Sequence, residues 1–244
     1  MRAILTYHSI DDSRSAISVT PLAFKQQIEW LARQEVRVVP LNVLLTLPDH
    51  TRAVALTFDD GIANVATLAL PILAEHGITA TVFVVSRQVG KDNRWEARSR
   101  HRAPLLPLLN WEQLGSLFSR GWTIGSHSRS HRHLPSCSAQ QLDDEVEGAA
   151  DDITAALGAR PAWFAYPYGA VDGRVAARTA LVYELACTTD LRALRTAEQP
   201  ALLPRIDAWY LQAWVRKLGW GSPGFRAIVG ARRLVRAASA ALRP

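Results

Sequence analysis

Cysteine is scarce: Cys137 and Cys187 are the only two in 244 residues. Two thiols without metal-type spacing exclude a disulfide framework and a cysteine-built metal site, so each reads as a small hydrophobe. Long apolar runs are missing as well. No stretch approaches the roughly 20 apolar residues that a membrane-crossing helix needs. Met1–His8, with one charge and a short apolar run, lacks the features of a secretory leader, so a cytoplasmic chain is the expectation. Glycine (14) and proline (13) are too few for a collagen-like or linker composition, and 48% hydrophobic residues exclude a disordered one. No histidine follows His133.

A formal net charge of +6 invites a nucleic-acid or membrane partner. The excess sits at one end. From residue 205 onward there are eight bases (Arg205, Arg216, Lys217, Arg226, Arg232, Arg233, Arg236, Arg243) against Asp207, whereas residues 1–204 carry 20 bases against 21 acids. The body is therefore neutral and the tail basic. In the tail Trp209, Trp214 and Trp220 interleave with Arg216 and Lys217, and 225–242 reads as an Ala/Arg-rich helix. Basic residues with aromatic anchors suit a helix lying on an anionic membrane surface; they equally suit a helix packed on the body with solvated arginines. No nucleic-acid-binding motif accompanies the charge.

Short apolar runs alternate with helical periodicities. Ala3–His8, Val36–Pro40, Ala53–Phe58, Ala80–Val85, Trp122–Gly125, Trp163–Tyr166 and Leu185–Thr188 read as strands. Thr20-Pro21 opens a helix carrying Phe24, Ile28 and Leu31. Further helices are expected at Leu41–Leu47, Ala66–Glu75, Trp111–Arg120, Ala139–Leu157 and Gly173–Leu181. This alternation predicts a parallel α/β sheet or barrel. Ala139–Leu157 has an acidic face (Asp143, Asp144, Glu145, Glu147, Asp151, Asp152), expected to be solvated. Arg87–Pro107 is a long polar loop with bases at Arg87, Lys91, Arg94, Arg98, Arg100 and Arg102, of a length that tends to be functional or disordered.

Reactive side chains stand at strand ends. Asp59-Asp60-Gly61 follows Ala53–Phe58, and two adjacent carboxylates there are costly unless a cation or a proton is shared. A metal answers that need, one carboxylate ligating it and the other facing a bound water; a plain Asp-Asp-Gly turn is the alternative. His127 and His131, after another strand, converge if the stretch turns helically. Two imidazoles and a carboxylate make a three-ligand divalent site with an open position. His8 ends the first strand as Asp59 and His127 end theirs, and parallel α/β folds gather strand C-termini on one face. Phe164–Gly169 is a Pro/Tyr/Gly turn of the kind that aims a backbone N–H at an oxyanion.

In this order the motifs resemble those of the polysaccharide deacetylase family, carbohydrate esterase family 4. Thr57-Phe58-Asp59-Asp60-Gly61 matches the family's first motif in full, His127–His131 its His-[Ser/Thr]-x-x-His second motif, and Tyr166-Pro167-Tyr168-Gly169 most of the third. The likeness spans residues 1–207 and leaves 208–244 as a basic helical extension. It implies a distorted (β/α) barrel and metal-dependent removal of an N-acetyl group from a saccharide. Asp59 would be the general base, Asp60, His127 and His131 the ligands of one divalent ion, commonly Zn2+, and the Tyr168 N–H the oxyanion donor.

Two family residues are missing. The Arg that usually opens the third motif and pairs with the catalytic Asp is here Ala165, and the late Leu-x-His that carries the general acid is absent. Tyr7-His8-Ser9-Ile10 resembles the N-terminal Tyr-His segment of exopolysaccharide-pathway deacetylases, in which a permuted order places the acid before the Asp pair; His8 is the expected acid. Arg205 is the expected replacement guanidinium. Trp95 and Trp111 either stack on a sugar ring or pack. The missing Arg also permits a non-catalytic carbohydrate-binding descendant, and a non-sugar amide or an O-acetyl ester stays open as substrate.

Overall fold

A computed structural model describes residues 1–95 and 103–241. Glu96, Arg98, Arg100, His101 and Arg102 of the expected basic loop, and Leu242 and Arg243 of the tail, lie outside the described residues. The elements run β1 (Arg2–Tyr7), β2 (Ser9–Ile10), β3 (Ser18–Val19), α1 (Pro21–Arg33), β4 (Arg37–Val38), α2 (Leu41–Thr46), β5 (Ala53–Phe58), a π-helical turn (Val65–Ala69), α3 (Leu70–Ala74), β6 (Thr81–Val84), α4 (Trp111–Ser119), β7 (Thr123–Ser126), α5 (Ala139–Leu157), β8 (Trp163–Ala165), α6 (Gly173–Ala180), β9 (Leu185–Cys187), β10 (Ile206–Asp207), α7 (Ala213–Arg216) and α8 (Pro223–Ala241). The helix expected over Ala66–Glu75 is split. Pro71 lacks the N–H that an α ladder needs, and the turn ahead of it is wound as π.

The main sheet is parallel, in the order β10-β1-β5-β6-β7-β8-β9. A parallel bridge, Cys187↔Leu203, ties β9 to the segment that leads into β10. The strands thus curl into a distorted (β/α) barrel, nearly closed through residues 203–207. Strands buried on both faces account for the continuous apolar runs. Leu5, Tyr7, Leu56 and Phe58 pack outward with Phe24, Ile28 and Leu31 of α1. Ile4, Ala53, Ala55, Phe83, Trp163 and Ala165 form a second cluster within the curl, where small alanines leave room for larger neighbours. Both cysteines are buried and free.

The tail packs on the body. Trp220 and Phe225 lie 5.9 and 6.2 Å from the Trp30 ring, and Trp220 Nε1 donates to Met1 O at 3.0 Å. Arg233 donates to Asp190 at 2.6 and 3.1 Å. Trp214, Leu234 and Val235 stay exposed. Among the described residues no helix is long and apolar enough to cross a membrane.

Candidate metal and catalytic centre

Asp59 still belongs to the sheet, its N–H donating to Tyr7 O at 2.9 Å. Asp60 and Gly61, both at φ 69°, then reverse the chain. Glycine is required at the second position, because a Cβ would stand 3.2 Å from Val84 Cγ1 in an already left-handed backbone. The reversal aims Asp60 at the end of β7. Its Oδ1 lies 3.5 Å from His127 Nε2 and 3.3 Å from His131 Nε2, and the three residues are buried. Ligand atoms of this triad all lie within 4.8 Å of one another. His127 Nδ1 is 2.7 Å from Ala165 O. A carbonyl only accepts, so Nδ1 carries the hydrogen and Nε2 keeps its lone pair towards Asp60. Burial lowers the His127 pKa to about 4, which keeps the ring neutral. Burial pushes the Asp60 carboxyl up, but the adjacent His131 and the other imidazoles around it hold it well below the ordinary range.

The His127–His131 stretch is a loop rather than the expected helical turn, with Ser128 at φ 64° and His131 at φ 62°. Its shape comes from α5. Buried Glu145 accepts from the N–H groups of Arg129 (3.1 Å) and Ser130 (2.9 Å) and from the Ser130 hydroxyl. Arg129 in turn donates to Asp152 at 2.9 and 2.8 Å and to Asp144. The acidic face of α5 is therefore not simply solvated: three of its carboxylates hold the histidine loop. The sequence showed that acidic run directly after the histidine pair, but not which carboxylates turn inward.

Asp59 meets Arg205. The two guanidinium nitrogens donate to the two carboxylate oxygens at 2.7 Å each, and Arg205 Nε donates to Thr188 O at 3.0 Å. Both side chains are buried, and Arg205 lies over the Phe83 ring at 5.8 Å. Burial pushes Asp59 up, yet Arg205 and the neighbouring imidazoles keep its pKa below the ordinary value. His8 Nε2 stands 3.9 Å from Asp59 Oδ2. Tyr168 adopts φ 59°, and its ring lies 4.5 Å from that of His131. The Trp95 ring lies 5.0 Å from that of His131. Trp111 packs against the core, and His133 is exposed, bonded to Ser136. The structure thus gathers His8, Asp59, Asp60, His127, His131, Tyr168 and Arg205 at one end of the barrel.

Residues 47–184 match the polysaccharide deacetylase family. The chain belongs to that family. Among its relatives is the poly-beta-1,6-N-acetyl-D-glucosamine N-deacetylase of Staphylococcus epidermidis, 28% identical over 142 residues, which cover 56% of this chain and 46% of that protein. The chain spans about half the length of the curated relatives it matches. Of solved structures, IcaB from Ammonifex degensii superposes with a TM-score of 0.71 at 23% identity, over 86% of this chain and 94% of that one. The Streptococcus pyogenes deacetylase PplD in complex with acetate superposes at 0.69 with 24% identity, over 84% and 91%. These likenesses establish for this family member the distorted barrel described above.

Proposed function

We propose that the protein is a metal-dependent deacetylase that hydrolyses the N-acetyl group of an amino-sugar-containing saccharide, in exopolysaccharide or other glycan assembly. The observation that carries this reading is the meeting at the strand C-termini of the Asp60–His127–His131 triad, with ligand atoms within 4.8 Å, and an Asp59 gripped by Arg205.

The triad fits a divalent cation. Among the described residues Asp60 Oδ1 is a buried oxygen without a hydrogen-bond partner, and His127 has its tautomer locked with Nε2 available. Zn2+ suits two nitrogens and one oxygen with a fourth position open. When bound, such an ion polarises a carbonyl and lowers the pKa of a coordinated water toward about 7. Asp59, kept ionised by Arg205, accepts the proton of the attacking water. His8, one-quarter exposed beside Asp59, gives a proton to the departing amine. The Tyr168 N–H stabilises the oxyanion, a donor of a kind typically worth about 3 kcal/mol.

The named activity of the S. epidermidis relative supports an N-acetylated saccharide as substrate. The guanidinium missing at Ala165 comes from Arg205 instead, which favours a working enzyme over a binding-only descendant. Metal-loaded protein is expected to release amine and acetate from an N-acetylglucosamine oligomer. Bound metal without amine release from any acetylated amino sugar overturns the reading, and acetate release from an O-acetyl ester alone replaces it. For the basic tail, exposed Leu234 and Val235 among Arg232, Arg233 and Arg236 support a peripheral membrane contact, tested by co-sedimentation with anionic vesicles.

A further inference from the structure

Trp95 follows a stretch, residues 90–93, that is fastened to residues 104–109 and to the body beside the candidate metal centre. Asp92 and Pro107 form an antiparallel bridge, and Ile62 and Leu108 another. The Asn93 amide, buried, donates to Pro104 O at 3.0 Å and accepts from Leu106 N at 2.7 Å. Ala63 N–H donates to Pro107 O at 2.9 Å and Leu109 N–H to Gly61 O at 2.8 Å. The base of this strap is thus fastened to Gly61–Ala63, immediately after Asp59-Asp60. From it the Trp95 ring reaches the His131 imidazole, centroids 5.0 Å apart and planes 31° apart.

Among the described residues the indole nitrogen of Trp95 is buried and without a hydrogen-bond partner, as is Asp60 Oδ1. The two orphans, both beside His131, ask for opposite things. A carboxylate oxygen is answered by a cation. An indole offers only a donor, so its N–H needs an oxygen and gains nothing from a metal ion. A buried donor left without an acceptor is destabilising, and binding something that supplies one removes that cost.

We propose that Trp95 is a substrate-binding residue: its indole N–H donates to an oxygen of the acetylated saccharide at the metal centre while its ring stays packed on His131. This rests on the reading of the centre as a saccharide deacetylase, and it adds a polar contact where packing or ring stacking alone was the expectation.

Trp95→Phe keeps an aromatic ring against His131 and deletes only the donor. The expected result is a rise in KM for an N-acetylglucosamine oligomer of about tenfold, as fits one lost hydrogen bond, with kcat within about threefold and metal content unchanged. In the unmutated metal-loaded protein the Trp95 indole proton is expected to shift downfield, and to exchange more slowly with solvent, as the oligomer is added. That NMR measurement stands even if the variant folds poorly. An unchanged KM with an unmoved indole resonance overturns the assignment, as does a variant that loses metal instead of substrate affinity. Unmutated protein that releases no amine from any acetylated amino sugar brings down the deacetylase reading itself, an outcome distinct from active protein with a silent Trp95→Phe.

Discussion

Arg205 grips Asp59 through two hydrogen bonds of 2.7 Å across 146 positions of sequence, joining the segment before β10 to the end of β5 inside the barrel. The sequence resemblance leads one to expect such a guanidinium at position 165, which is alanine here. The planar fork of arginine lets Arg205 meet both carboxylate oxygens at once.

Arg205→Lys keeps the charge and loses the fork. We expect kcat/KM to fall by about tenfold and the acidic limb of the pH–rate profile to move upward. The sign follows from Asp59, whose pKa is held below the ordinary value by Arg205; a weaker partner lets it rise. Arg205→Ala goes further. It strands a buried carboxylate, and breaking such a pair typically costs about 3–5 kcal/mol of stability, measurable by denaturant titration. A Lys variant with an unshifted acidic limb shows that Arg205 does not set the state of Asp59.

The two adjacent aspartates are expected to part company on substitution. Asp59→Asn retains the metal and loses about 10²–10⁴-fold in turnover, as expected for a removed general base. Asp60→Ala and His131→Ala lose the metal itself. Metal analysis beside the deacetylation rate separates the two classes, and near-wild-type turnover in Asp59→Asn refutes the base assignment.

His8 has a sharper threshold. As the proton donor to the leaving amine it should cost at least about 10²-fold in rate when changed to Ala. A drop below about tenfold leaves it a packing residue at the end of β1. A substrate with a better leaving group should recover part of the loss, because it needs less help from an acid.

Much of this architecture was legible in the sequence, and the parts that were not share a cause. Ala53–Phe58 and Ala139–Leu157 appear with the boundaries their residues announce. The first is an apolar run stopped by two carboxylates; the second has a capping box at Ser138 and a left-handed Gly158 at its end. The four-residue spacing of His127 and His131 pointed to a helical turn, but two left-handed residues and a distant carboxylate make them converge without one. The roles of Glu145 and Arg205 depend on contacts from far along the chain, which no local pattern encodes. Arg205 was findable only because a known motif lacked its guanidinium, whereas Glu145 had no such vacancy to advertise it.

Glu145 yields its own expectation. It accepts two backbone N–H groups from the loop between the paired histidines, at 3.1 and 2.9 Å, without touching the metal triad's ligand atoms. Loss of such a supporting contact typically lowers metal affinity about 10–100-fold. Glu145→Ala should therefore weaken metal binding by that order in a competition titration, with activity returning when the metal is supplied in excess. Glu145→Gln, which keeps an acceptor, should lie between. Full metal affinity in the Ala variant would assign the loop's shape to Ser128 and Arg129 instead.

His127 makes metal-free stability depend on pH in a calculable direction. Its pKa falls on folding from 6.5 to about 4, with burial the leading cause. Between those values the unfolded chain binds a proton that the native state refuses, so stability rises with pH across the interval. The contribution is complete above pH 6.5 and is lost as pH falls toward about 4. Asp60 and Asp59, whose pKa values are lowered, lose their own contributions only at still lower pH, below the ordinary carboxylate range. Thermal melts of metal-free protein should thus show Tm falling from pH 6.5 to 4. His127→Gln, which keeps a side-chain N–H for the Ala165 carbonyl but does not titrate, should flatten that slope, and an equally steep fall in the variant removes His127 as its source.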